Sequence, residues 1–229
     1  VTLSATDADK VALLTFDDGK MNSFSFEAID TWNAVLDEAE NAGALVICGN
    51  DKAFSAGFDL SVMKTAPSQQ AGELVRKGAE LTLRLAAFPR PVILAATGHS
   101  LALGAIMLFA GDYRVGTDNP KSKFGMTEVH LGMPLPTFAM ELARWRLSPL
   151  AFTQSTTLGT TYDSAGAKAV GYLDEVVPHD QVVERAIEYA SQVSGLKQSP
   201  FVTTKGIERG AILSFCADEL DGDQALFTE

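Results

Sequence analysis

Two short, wholly apolar runs in this chain are each followed by a turn of small residues and then by a helix-like segment. The first run is Ala44–Cys48 (ALVIC) and the second is Val92–Ala96 (VILAA). Five apolar residues in a row, with glycine or proline beside them, are typical of a strand buried on both faces of a parallel sheet. Two such strand–turn–helix units predict an α/β fold.

The remaining segments extend this alternation. The run from Lys10 to Phe16 predicts a further strand, and Ser25 is placed to cap a helix over residues 25–42. From Thr137 onwards the spacing of apolar residues is mainly helical, so we expect an α/β core with a helical C-terminal part. Between these ends, the pattern predicts one helical turn followed by a loop over 60–70, helices over 71–88 and 105–110, and short strands over 112–115 and 123–125.

Composition excludes several classes of function. The chain of 229 residues carries 29 acidic against 18 basic side chains, a net charge of −11, which argues against nucleic-acid binding. No apolar run reaches the about 20 residues of a membrane span, and Val1–Ser4 lacks a signal-peptide pattern. Cys48 and Cys216 stand in no metal or redox spacing. We therefore expect no metal, no nucleic-acid or membrane partner, and a cytoplasmic location.

The turn after the second apolar run raises one catalytic hypothesis. In AATGHSLALG, Ser100 sits in a Gly-x-Ser-x-Ala pattern, close to the Gly-x-Ser-x-Gly elbow of α/β-hydrolases. Asp163 or Asp174 with His179 would complete a triad in the right chain order. That order is easily met by chance, so we favour the alternative that Ser100 is a small polar residue in a tight turn.

The turn after the first apolar run, AFSAGFDL, suggests a different chemistry. If Asp59 caps a following helix, the N–H of Phe58 lies at the positive end of that helix. The N–H of Leu103 occupies the matching position after the second run. Two such amides on adjacent turns could bind one carbonyl oxygen, as in an oxyanion hole. An ordinary strand-to-helix turn explains the spacing equally well.

The motifs together resemble the crotonase superfamily, also called the enoyl-CoA hydratase/isomerase family. AFSAGFDL, PVILAATGHSLALGAIMLFAGDYRVG and FGMTEVHLGM carry the resemblance, which runs from about Lys10 to Ser194. It implies a crotonase-type β-β-α spiral core over residues 1–190. It also implies a helical C-terminal trimerisation region, of which residues 191–229 are expected to be an incomplete copy, and assembly as a homotrimer or hexamer.

The resemblance also implies residue roles. Phe58 and Leu103 match the two backbone N–H donors of the family's oxyanion hole, and Glu128 matches its proton-transferring glutamate. The expected substrate is an acyl-CoA thioester, with coenzyme A entering as part of the substrate and no separate cofactor. The expected coenzyme A and substrate contacts are Ala53, Ser55, Ala56, Gly57, Asp59 and Leu60.

One departure from the family pattern bears on the reaction. Ile106 stands where hydratases carry their second glutamate, so one carboxylate is visible where hydration is helped by two. A double-bond shift needs a single base and an oxyanion hole, which favours a Δ3,Δ2-enoyl-CoA isomerase-like reaction. Three alternatives stay open: a hydratase (lyase) that uses Glu141 at the start of the next helix, a non-catalytic acyl-CoA-binding protein, and the serine hydrolase built on Ser100.

Other residues near these motifs receive simpler interpretations. His99 and His130 are expected to be hydrogen-bonded structural histidines, and Lys52 and Lys123 could meet coenzyme A phosphates as point charges. The large apolar side chains over residues 132–138 replace a glycine-rich continuation in the family. We expect them to narrow the acyl pocket.

Overall fold

Three β-sheets organise the part of the chain that the computed structural model describes, residues 2–6 and 10–228. A six-stranded sheet has the order β1-β2-β4-β7-β9-β11, a three-stranded sheet the order β10-β8-β5, and β3 pairs with β6. Within those residues no helix is long and apolar enough to cross a membrane. The strands are β1 (Thr2–Thr6), β2 (Val11–Thr15), β3 (Ser23–Phe24), β4 (Ala44–Cys48), β5 (Ala53–Ser55), β6 (Gly57–Phe58), β7 (Val92–Ala96), β8 (His99–Leu101), β9 (Tyr113–Thr117), β10 (Phe124–Gly125) and β11 (Glu175–Val177).

Helices follow the strands and dominate the C-terminal part of the chain. Glu128–Leu131 and His179–Gln181 form single 3-10 turns. The α-helices are α1 (Phe26–Ala39), α2 (Leu60–Thr65), α3 (Ser68–Ala86), α4 (Leu103–Leu108), α5 (Thr137–Arg146), α6 (Phe152–Ser155), α7 (Ser164–Val170), α8 (Val182–Val193), α9 (Gln198–Asp218) and α10 (Leu220–Ala225).

The two larger sheets repeat one arrangement three times. Strands β4, β7 and β9 are parallel neighbours in the six-stranded sheet, and each continues directly into a strand of the small sheet, β5, β8 or β10. Those second strands are parallel to each other and stand in the same order. This is the β-β-α spiral that the sequence resemblance implies, and the α/β fold class is confirmed.

Burial on both faces explains the two apolar runs. Every residue of β4 and β7 is buried. One face of these strands packs Val46 and Ile93 against Ala186 and Ala190 of α8. The opposite face belongs to the main core, which includes Leu45, Ile47 and Leu94 together with side chains of α1, α3 and α4. Apolar side chains are therefore needed at successive positions.

Several local predictions can now be compared with the observed elements. Ser25 caps α1 as predicted, its Oγ accepting a hydrogen bond from the N–H of Ala28. The predicted helical turn is α2, which extends to Thr65, but the loop predicted after it is too long, because α3 begins at Ser68, directly after Pro67. Pro67 is the N-cap of α3, and the first three residues of that helix are polar and exposed, so the spacing of apolar residues does not reveal this start. Strand β11 was not predicted.

The partly buried carboxylate of Asp112 holds α9 against the core. Asp112 Oδ2 accepts a hydrogen bond from Lys205 Nζ at 2.9 Å, and its Oδ1 accepts one from Arg209. Lys205 also donates to the carbonyl of Phe88, and Arg209 donates to that of Ala86 at the end of α3. Cations at a helix C-terminus are favoured by its exposed carbonyls. The charges of α9 therefore stabilise the end of α3.

We predict that Asp112→Ala destabilises the protein by about 3–5 kcal/mol, because Lys205 and Arg209 would stay buried without their anion. Urea unfolding measures this free energy. The matched control is Asp30→Ala, which removes the exposed partner of Lys77 and should cost at most about 1 kcal/mol. Equal losses in the two variants would contradict the prediction.

Candidate active site

The three parallel strands of the small sheet end beside one another and present the predicted site residues. Strand β8 runs into Leu103, the first residue of α4, and β10 is followed closely by Glu128. Strand β5 continues through Ala56 into β6, which ends at Phe58. Because carboxyl ends of parallel neighbours meet at one edge, residues far apart in sequence are brought together there.

The turns that carry Phe58 and Leu103 are in direct contact. A Cβ placed on Gly57 would lie 3.2 Å from the backbone nitrogen of Leu103 and 2.7 Å from the Cβ of Ala102. Gly57 also has φ +94°, a conformation that side-chain-bearing residues rarely adopt. Only glycine therefore lets the first turn approach the second this closely.

The start of α4 leaves its first N–H groups without partners inside the helix. Leu103 is wholly buried, and its side chain lies with the ring of Phe58 against Gly78 of α3. The preceding residue, Ala102, has φ +50° and ψ −127°, a strained backbone conformation for alanine. Leu103 is thus the first residue of α4, whereas its role as an oxyanion-hole donor stays a prediction. Phe58 lies two residues before the first residue of α2, with Asp59 as the N-cap.

Buried polar side chains fix the shape of the turn AFSAGFDL, which carries Phe58. Asn22 is buried and its Nδ2 donates to the carbonyls of Phe16 and Ala53, at 2.7 and 2.8 Å. Ser55 Oγ donates to the carbonyl of Asn22 and accepts from the N–H of Gly57. These bonds tie AFSAGFDL to the turn after β2. Asn22 was not predicted, although an asparagine soon after Asp17-Asp18-Gly19 is a signal of a specific turn.

Glu128 is the buried carboxyl group of the site. It lies in the 3-10 turn that follows β10, not at a strand end, and only 6% of its surface is exposed. Its Oε2 has no hydrogen-bond partner. Burial raises the pKa of Glu128 to about 7, although nearby backbone N–H groups of Thr127 and Glu128 oppose the shift. A carboxyl group with this pKa can both take and return a proton near neutral pH.

An apolar pocket opens beside Glu128. Among the described residues that line it, Glu128 alone can ionise. Met133, Pro136 and Phe138 confirm that the segment over 132–138 contributes to this pocket. The sequence did not reveal the contributions of Met63, Val75 and Phe227. The full lining is Ala56, Phe58, Leu60, Met63, Val75, Ala102, Ile106, Glu128, Leu131, Met133, Pro136, Phe138 and Phe227.

Of the expected coenzyme A contacts, Ala56 and Leu60 line this pocket, and Leu60 is 46% exposed. Ala53 and Ser55 are wholly buried. The N–H of Ala53 donates to Asn50 Oδ1, and Asp59 Oδ1 accepts from the N–H of Ser61 as the cap of α2. Roles of all six residues in binding coenzyme A stay predictions.

The basic and imidazole groups near the motifs have structural partners or stand in solvent. His99 Nδ1 accepts from the N–H of Lys123, and His130 Nε2 lies 3.1 Å from the carbonyl oxygen of Gly159. Both histidines are therefore hydrogen-bonded, as expected. Lys52 and Lys123 are exposed, and their backbones flank β8 on opposite sides. A contact of either lysine with phosphate stays a prediction.

The serine-hydrolase arrangement does not form. Ser100 is a wholly buried residue of β8, not a turn residue, and its Oγ lies 3.5 Å from the carbonyl oxygen of Gly98. His179 Nδ1 instead lies 3.1 Å from Thr117 Oγ1. Asp174 pairs with Arg114, and Asp163 caps α7. Each supposed partner of Ser100 is therefore engaged elsewhere.

Ile106 and Glu141 are the two positions that bear on a hydratase reaction. Ile106 is buried and lines the pocket, so an apolar side chain occupies the place of the family's second glutamate. Glu141 does not open α5, since that helix begins four residues earlier at Thr137. Its carboxylate pairs with Arg144 at 3.2 Å, and Glu141 is not part of the pocket lining. No second carboxylate faces Glu128 among the residues that line this pocket.

Comparison with known proteins shows what this chain is similar to. It is 29% identical over 222 residues to enoyl-CoA delta isomerase 1, mitochondrial, of Mus musculus, a match that covers 95% of this chain and 77% of the relative. Among solved structures, human mitochondrial delta3-delta2-enoyl-CoA isomerase superposes with a TM-score of 0.93 at 26% identity, covering 99% of this chain and 90% of the other.

A bacterial structure shares more of the sequence. A Mycobacterium tuberculosis protein matches at 37% identity with a TM-score of 0.91, and 97% of both chains is covered. This relative has been named an enoyl-CoA isomerase and also a probable enoyl-CoA hydratase. The model of the enoyl-CoA hydratase/isomerase family matches residues 6–228. The chain therefore belongs to the enoyl-CoA hydratase/isomerase family, the crotonase superfamily of enzymes.

Proposed function

We propose that this protein shifts the double bond of a 3-enoyl-CoA to the 2-position, as a Δ3,Δ2-enoyl-CoA isomerase. The single observation that carries the proposal is a pocket whose one ionisable group is Glu128, beside the contacting turns of Phe58 and Leu103. The two isomerase relatives support it. Water addition is disfavoured because Ile106 leaves an apolar wall where a second carboxylate would hold a water molecule.

The reaction divides into two proton transfers. The Glu128 carboxylate removes a proton from carbon 2 of the substrate, and the electron pair of that C–H bond moves toward the thioester carbonyl. The resulting dienolate oxygen accepts hydrogen bonds from the N–H groups of Phe58 and Leu103. Protonated Glu128 then returns its proton to carbon 4, and the double bond comes to lie between carbons 2 and 3. Nothing is added or lost.

We predict that Glu128→Gln lowers kcat/KM for isomerisation of trans-3-hexenoyl-CoA by about 10²–10⁴-fold, because the amide cannot accept the proton. Conversion to the 2-enoyl thioester is followed by its ultraviolet absorbance. Glu141→Gln is the matched control, since it changes the same side chain outside the pocket and should leave the rate within about twofold. A Glu128→Gln variant that isomerises at the wild-type rate would refute the role of Glu128.

The pKa of Glu128 predicts the pH dependence. Because the base must be ionised and burial raises its pKa to about 7, kcat/KM should rise with pH and level off above neutrality. The half-maximal point is expected near pH 7, where an exposed glutamate would place it near 4.5. Initial rates between pH 5 and 9 test this. A profile that is already flat at pH 5.5 would contradict it.

The products distinguish isomerisation from hydration. With 3-enoyl-CoA we expect a 2-enoyl-CoA of unchanged mass, and with 2-enoyl-CoA we expect little 3-hydroxyacyl-CoA. Mass spectrometry of the thioester pool detects an added water directly. Rapid hydration that Glu141→Gln abolishes would favour the hydratase alternative. Tight acyl-CoA binding without turnover of either substrate would favour a non-catalytic binding protein.

The expectations about assembly and location depend on this proposal but are separate from it. A homotrimer or hexamer stays a prediction that light scattering of the purified protein can test. The cytoplasmic location and the lack of a further cofactor also stay predictions, and the mouse relative is named a mitochondrial protein.

A further inference from the structure

The C-terminal part of the described chain forms one wall of the pocket. Phe227, two residues beyond α10, lines the same cavity as Glu128, together with Met63 and Val75. This wall lies outside the three motifs that carry the family resemblance.

Polar contacts hold α10 and Phe227 in place. Asp223 is buried, and its carboxylate accepts hydrogen bonds from the N–H groups of Thr137 and Phe138 at the start of α5. Asp221 pairs with Arg76 of α3, and Ser68 Oγ donates to the carbonyl of Thr228 at 2.9 Å. Because contacts lie on both sides of Phe227, its ring is part of a fixed wall.

Helix α3 contacts both the C-terminal segment and the turns of Phe58 and Leu103. A Cβ on Gly72 would meet Gln224 and Thr228, whereas a Cβ on Gly78 would meet the ring of Phe58 and the side chain of Leu103. At about 1.5 Å per residue, these two positions are about 9 Å apart along the helix axis. Val75 lies between them and lines the pocket.

An acyl chain whose thioester end lies beside Glu128 meets the wall that includes Phe227 once it fills the pocket. We propose that Phe227 is the residue that sets the upper acyl-chain length of this enzyme. The proposal rests on the acyl-CoA chemistry given above and specifies which acyl groups are accepted.

The test compares Phe227→Ala with wild-type protein on trans-3-enoyl-CoA substrates of 6, 8, 10 and 12 carbons. Wild-type kcat/KM should fall at least tenfold between 8 and 12 carbons. Each methylene that gains an apolar place is worth about fourfold, so Phe227→Ala should raise the ratio of the 12-carbon to the 6-carbon value at least tenfold. The matched control is Leu226→Ala, which removes the neighbouring, 49% exposed side chain outside the pocket lining.

A second readout separates this proposal from the isomerase proposal. Saturated acyl-CoA thioesters of the same lengths do not react, and calorimetry gives their Kd for each variant. If wild-type protein isomerises nothing, the function proposed above fails, while the ratio of 12-carbon to 8-carbon Kd still tests the limit. An unchanged ratio in Phe227→Ala, or the same shift in Leu226→Ala, overturns it. If Phe227→Ala does not fold, Phe227→Leu is judged by the same ratios.

Discussion

Parallel pairing of β5, β8 and β10 determines where every candidate catalytic group lies. The pairs Ser55 with Ser100 and Ser100 with Phe124 set the register of this small sheet. Each strand delivers one element of the chemistry at its carboxyl end: a backbone turn, a helix start or a carboxyl group. The preceding strands β4, β7 and β9 stand in the same order in the six-stranded sheet and fix the spacing of the three small-sheet strands. The site is therefore an edge of a sheet, assembled by main-chain hydrogen bonds.

Burial of the Glu128 carboxyl group raises its pKa, and this lowers the free energy of unfolding at neutral and higher pH. In the unfolded chain its carboxyl group has an ordinary pKa of 4.5, and in the folded protein the pKa is about 7. Folding therefore favours the protonated form, and the associated stability is present below about pH 4.5 and lost as pH rises through about 7. Glu128 Oε2 is buried without a hydrogen-bond partner, which is the geometric side of the same cost of burial. A buried carboxyl group with a raised pKa is typical of functional sites, which agrees with the proposed role of Glu128 as the base.

The sequence predicted best those features that depend on local chemistry. Runs of buried apolar residues identified β4 and β7, and small residues in AFSAGFDL identified the turn that Gly57 brings against Leu103. The role of Glu128 came from the family resemblance alone. Phe227 could not be found, because its contact with the pocket depends on how α10 packs on α3. The pattern around Ser100 suggested a nucleophile elbow, but Ser100 lies in strand β8. The residues next to a serine in the sequence do not distinguish a strand from an elbow turn.

The repeated spiral also bears on how the protein folds. Phe58, Leu103 and Glu128 belong to successive β-β-α units, so none of the contacts among them is local in sequence. Forming such contacts requires the closure of long loops, which slows folding and makes it cooperative. A chain in which one unit has not docked would lack one of the proposed oxyanion donors or the proposed base. Recovery of activity is therefore a measure of complete refolding, whereas helix content alone is not.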